Sequence, residues 1–87
     1  MSRYTVVWAP SARRMLAKLW LDNPAIRQEI ADASDQMEQS LAERPSELGI
    51  AVTEISRLVA LPPLAILFRV VEHDRVVRVM HVNYWLD

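Results

Sequence analysis

The stretch Leu64-Ala-Ile-Leu-Phe-Arg-Val-Val-Glu-His-Asp-Arg-Val-Val-Arg-Val-Met-His-Val-Asn-Tyr84 decides the fold. Residues 64–72 and 75–84 are rich in β-branched and aromatic side chains, which pack well on a pleated surface. His73-Asp74 between them is a tight-turn signal, because Asp tolerates the left-handed backbone conformation. With those two as the loop, positions 71, 70, 69, 68 and 67 pair with 76, 77, 78, 79 and 80. One face then holds Val70 opposite Val77, Phe68 opposite Val79, and Ile66 opposite His81. The other holds Val71 opposite Val76, Leu67 opposite Met80, and Arg69 directly opposite Arg78. Like charges across a ladder repel, so the arginine pair calls for an anion, a carboxylate or a partner over it. Glu54 is the internal candidate for that counter-charge, and an intermolecular site is the alternative.

Working outward, Thr53–Leu61 reads as a strand stopped by Pro62-Pro63. Before it, Ile26, Ile30, Ala33, Met37 and Leu41 recur at helical spacing, and Pro45 ends that helix by forcing its predecessor out of the α region. Asp22-Asn23-Pro24 is a break and restart, with Asn23 as cap and Pro24 at the first helical position. Ser11–Leu21 forms a shorter amphipathic helix, capped by Ser11, with Ala12, Met15, Leu16, Leu19 and Trp20 inward and Arg13, Arg14 and Lys18 outward. Trp8 and Trp20 fall at core positions. Tyr4–Trp8 is a first strand. The order β-α-α-β-β-β predicts an α+β fold, with a helical hairpin on one face of a small antiparallel sheet, in a single domain over residues 1–87.

Composition narrows the function. With about half the residues apolar, the chain is built to fold rather than to remain disordered. There is no Cys, so a disulfide scaffold and a Cys-based zinc site are excluded. Tyr4–Trp8 is too short for a signal peptide, and the apolar run Leu58–Phe68, broken by two prolines, is too short for a membrane span. The expectation is a soluble cytoplasmic protein with no membrane partner. The net charge of -1 is segregated, with four bases and no acid in residues 1–20 and two bases against eight acids in residues 21–54. That pattern suits an oriented protein partner better than a phosphate backbone.

No strong catalytic or cofactor motif is present. Gly49 stands alone, so there is no glycine-rich phosphate loop. His81 lacks a second ligand at metal spacing and is expected to be half-buried and hydrogen-bonded. The candidate partner-binding residues are Arg13, Arg14, Lys18, Arg57, Arg69, Arg78, Tyr84 and Trp85. An exposed Tyr84–Trp85 pair beside Arg78 would form a contact hot spot.

The opening Tyr-Thr-Val-Val-Trp-Ala-Pro-Ser-Ala, Leu-Trp-Leu at 19–21, Pro-Pro-Leu-Ala-Ile-Leu-Phe-Arg-Val at 62–70 and Asp-Arg-Val-Val-Arg-Val-Met-His-Val at 74–82 together resemble RelE/ParE-family toxins of bacterial type II toxin–antitoxin systems. The resemblance spans nearly the whole chain. It implies a growth-inhibiting toxin neutralised by a cognate antitoxin that wraps the sheet and helices. It also implies one of two actions, inhibition of a protein target such as DNA gyrase or ribosome-dependent mRNA cleavage. The nuclease branch places an Arg and later basic residues where this chain has Ala65 and Trp85, and losing those charges disfavours cleavage. Were the chain a nuclease, Arg69, Arg78, His81 and Tyr84 would be its catalytic set, with Arg57 nearby. An inactive member kept as an interaction module is a third reading, and a homodimer through a free sheet edge is also compatible with the sequence. No cofactor or metal is implied.

Overall fold

Residues 3–85 are described by a computed structural model. Its elements are β1 (Thr5–Trp8), α1 (Pro10–Asp22), α2 (Arg27–Glu43), β2 (Ile50–Ala51), β3 (Ser56–Leu61), β4 (Leu64–Val71) and β5 (Val76–Tyr84). The strands form one sheet in the order β1-β5-β4-β3-β2, and both helices lie on one of its faces. The expected element order and layering are present, with two additions. The two-residue β2 extends the sheet beyond β3, and β1 runs parallel to β5, which makes the sheet mixed rather than wholly antiparallel. A parallel pair needs a long crossover, and here the helical hairpin and β2–β4 all lie between its two strands.

β5 is central, and its pairing with β4 follows the predicted register from Val71↔Val76 to Phe68↔Val79. There the ladder shifts: Leu67 pairs with His81 and Ile66 with Val82, so Met80 is a bulge residue. The expected pairs Leu67–Met80 and Ile66–His81 are therefore replaced. Burial supplies the reason. Val77, Val79 and Val82 are all within 1% of complete burial, a spacing of two and then three that strict alternation cannot satisfy. The extra residue turns Val82 inward and His81 outward. These valines pack with Leu64, Ile66 and Phe68 of β4, Ala12 of α1, and Ile30, Ala33, Met37 and Leu41 of α2.

The β4–β5 turn also differs in detail. Glu72–Arg75 form it, with the Arg75 N–H donating to the Glu72 carbonyl at 3.1 Å, and the left-handed residue is Arg75 (φ 54°) rather than Asp74. Contacts with Tyr4 and with the start of β1 hold Arg75 there. Its guanidinium lies 4.5 Å from the centre of the Tyr4 ring, and its carbonyl accepts the Thr5 N–H at 2.8 Å. The Tyr4 hydroxyl donates to the Glu72 carboxylate, 2.8 Å from Oε2. Accepting that proton, Glu72 holds the Tyr4 phenol above its ordinary pKa of 10.0.

Three local signals resolve differently from the sequence reading. Ser11 lies inside α1, which starts at Pro10 with Ala9 as an uncapped N-terminus. Asn23 caps nothing ahead of it; its amide donates back to the Leu19 carbonyl at 2.8 Å, and Pro24 opens a single 3-10 turn before α2. Strand β3 begins at Ser56, not Thr53, because the Thr53 hydroxyl accepts the N–H groups of Ile55 and Ser56 and curls 53–56 out of the ladder. No helix among the described residues is long and apolar enough to cross a membrane.

Two expected outcomes test this architecture. Gly49 has φ +63°, and a Cβ there would clash with the Leu58 carbonyl oxygen. Gly49→Ala should lower unfolding stability by more than ~1 kcal/mol in denaturant titration, since strain and a backbone clash combine. The Tyr4 hydrogen bond exists only with the phenol protonated. Its stabilisation is therefore present below pH 10 and lost as pH rises through the raised folded value. In an ultraviolet phenolate titration, Tyr4→Phe should remove a transition lying above pH 10.

Candidate partner-binding face

With the helices on one side, the opposite face of the sheet is open. Alternation along β4 puts Ala65, Leu67, Arg69 and Val71 on it, and the register carries that face across neighbouring strands. One row reads Val7, Arg78, Arg69, Ser56 from β1 to β3; the next reads His81, Leu67, Leu58, Ile50 from β5 to β2. Arg69 is half-buried and Arg78 exposed, facing each other as the sequence predicted. Neither has a described carboxylate within ion-pair distance. Glu54, the internal candidate, lies in the exposed turn before β3, and Glu72 is bound by Tyr4.

The predicted site residues separate into four places. Arg69, Arg78 and His81 share the open face. His81 is exposed there and makes no hydrogen bond to a described residue, contrary to the half-buried, bonded state expected of it. The bulge at Met80 is what turned it out. Arg57 pairs in register with Phe68 and so belongs to the helix side. Its Nε donates to the Leu48 carbonyl at 2.8 Å and its Nη2 to the Gly49 carbonyl at 3.0 Å, so it ties down the approach to β2. Tyr84 is opposite Leu64 at the far end of β5, and the Trp85 N–H donates to the Pro63 carbonyl at 2.7 Å. Six residues of strand, roughly 20 Å, separate Tyr84 from Arg78, so the expected aromatic–arginine hot spot is not assembled. Arg13, Arg14 and Lys18 are exposed on α1, in the other layer. Lys18 pairs with Asp22 at 3.2 Å, and the exposure of both makes that pair worth little.

Sequence reasoning missed a second surface. An apolar groove of about 530 Å³ runs between α1 and α2, lined by Leu16, Ala17, Trp20, Leu21, Ile30 and Ala31, with Arg13 on one side and Asp35 on the other. Trp20 belongs to this groove and is 42% exposed, so it is not a core residue. Trp8 is half-buried, with its indole N–H donating to Glu38 at 3.0 Å. Arg27 fixes Trp20. It lies 4.4 Å over the indole and donates to the Trp20 and Leu21 carbonyls at 2.8 and 3.2 Å, satisfying the end of α1. The signal was in the sequence: Trp20 and Leu21 cannot both follow the narrow Ala12–Leu16–Leu19 stripe inward.

Comparison with solved structures identifies the fold. One chain of the toxin–antitoxin complex RelBE2 of Mycobacterium tuberculosis superposes with a TM-score of 0.80 at 23% identity, covering 100% of this chain and 97% of that one. A chain of the chromosomal ParDE toxin–antitoxin system of P. aeruginosa gives 0.73 at 12% identity, covering 95% and 97%. A mutant of the E. coli toxin RelE in the free state gives 0.68 at 16%, covering 97% and 84%. No family model and no curated protein matches the sequence. Two helices on a five-stranded mixed sheet are thus the fold of RelE and ParE toxin structures.

Arg57 yields a prediction that separates structure from binding. Arg57→Ala should lower stability by about 1–3 kcal/mol, the range for losing hydrogen bonds from a charged donor. Arg78→Ala, which removes no such bond, should not.

Proposed function

We propose that the protein is the toxin of a type II toxin–antitoxin system, acting on a protein target and silenced by a cognate antitoxin. The observation that carries this reading is the whole-length agreement with chains from the RelBE2 complex and the ParDE system. The agreement covers 100% and 95% of this chain and 97% of each of those chains. The groove between α1 and α2 suits the antitoxin, because an apolar channel with Trp20 and Leu21 exposed matches the apolar stripe of a partner helix. The open sheet face, with Arg69 and Arg78, suits the target; DNA gyrase is the target class that the ParE resemblance brings forward.

Binding is favoured over mRNA cleavage for chemical reasons. Phosphodiester cleavage needs cations around the developing charge and a group positioned to move a proton. Ala65, 5% exposed between Ala60 and Asn83, offers a methyl group where the nuclease pattern has an arginine. Trp85 stands where that pattern has a base. His81 has no described acid beside it to orient its ring.

Induced expression in a bacterial culture tests the proposal, scored together with in vivo mRNA cleavage and plasmid supercoiling. Growth arrest with intact mRNA and altered supercoiling is the expected result. Co-expression of the antitoxin should relieve it, and Arg69→Ala/Arg78→Ala should weaken it at unchanged protein level. Codon-phased mRNA cuts would instead assign a catalytic role to Arg69, Arg78 and His81, and no arrest at all would reject the toxin reading.

A further inference from the structure

The Arg69–Arg78 pair is a like-charge contact kept in the middle of a well-paired ladder. Such a contact is unfavourable in the isolated chain, and no described acid offsets it. Its surroundings are mostly aliphatic: Val7 beside Arg78, Leu67 one step along β4 and the Val71–Val76 pair on the other side, with Ser56 beside Arg69. Arg69 is half-buried in that surface, which strengthens its attraction for an anion, and Arg78 stands exposed beside it. Side chains on directly paired positions of one face can reach the same ligand, and two guanidinium forks can grip two oxygens of one oxyanion.

We propose that Arg69 and Arg78 form a seat for a side-chain carboxylate of an acidic protein segment laid across the open sheet face, with aliphatic neighbours of that acid resting on Leu67 and Leu58. This deepens the protein-target reading and names the chemistry the target must present. Nucleic acid is the weaker fit. A phosphate backbone needs a track of cations, whereas the single lysine of the chain lies on α1 and the strand residues around the arginine pair are mostly aliphatic. The acids of α2 add a negative potential to the molecule that would oppose a polyanion approaching as a whole.

The seat is tested on the purified chain by thermal unfolding at low ionic strength. Glutarate serves as carboxylate probe, inorganic phosphate and a single-stranded oligodeoxynucleotide as phosphate probes, and chloride of matched ionic strength as reference. Glutarate should raise Tm above the chloride reference, and Arg78→Gln should abolish that rise. Without any added anion, Arg78→Gln should itself be more stable than the parent, by about 2–5 °C for a chain of this size, because the repulsion is gone. Arg78→Glu supplies the counter-charge from within and should be more stable still and indifferent to glutarate. Arg44→Gln, on the exposed end of α2, should keep the parent response. Three results would overturn the seat: no glutarate effect beyond chloride, an effect that survives Arg78→Gln, or a lower Tm in both Arg78 variants without anion. Stabilisation by phosphate or oligonucleotide in excess of glutarate would overturn the carboxylate assignment in favour of nucleic acid. These measurements involve no cells, so failure of the seat leaves the growth-arrest result standing, and absence of arrest leaves the seat.

Discussion

Everything in this fold depends on β5 being able to serve two neighbours and one core at once. It accepts β1 in parallel on one edge and β4 antiparallel on the other, while supplying Val77, Val79 and Val82 to the interior. A regular strand could not place all three valines inward. The unpaired Met80 resolves the conflict by inserting one residue, and the consequences reach well beyond packing. The same insertion turns His81 outward onto the face that carries Arg69 and Arg78. A burial requirement in the core thereby sets the chemistry of the exposed surface.

How much of this was legible in the sequence follows from the range over which each signal acts. The hairpin from Leu64 to Tyr84, the helical stripe from Ile26 to Leu41 and the opposition of Arg69 and Arg78 are set by periodicity and a nearby turn, and all were readable. The bulge was not, because alternation within β5 looks sound until the burial of Val82 is known. The parallel placement of β1 was equally hidden, since nothing local to Tyr4–Trp8 says which strand it joins. Cap assignments failed for a related reason. Ser11 and Asn23 are good capping residues by type, but Ala9-Pro10 starts the helix one turn position earlier and the Asn23 amide finds the Leu19 carbonyl first.

The candidate site shows the same division. Residues chosen for charge alone were sorted by the sheet into different roles: Arg57 became a brace for the Leu48–Gly49 backbone, while Arg69 and Arg78 were left facing solvent. Parity in the β3–β4 register puts Arg57 on the helix side, and that parity is set at the Pro62-Pro63 turn, across which Leu61 pairs with Leu64. Trp20 moved from presumed core to groove wall because α1 is short and its buried stripe is narrow. The molecule consequently has two surfaces of opposite character, an apolar channel on the helical side and a cationic patch on a flat aliphatic sheet. The two surfaces share no side chain.

The parallel β1–β5 pairing has a kinetic consequence. Thr5 lies against Val76, so the contact that seats the first strand joins segments from nearly opposite ends of the sequence. The helical hairpin can collapse early from local contacts, yet its apolar side stays uncovered until the central strand arrives between β1 and β4. Contacts of such sequence separation slow the folding rate more than they alter the final stability, so closure of β1 against β5 is expected to lag behind formation of the helical hairpin.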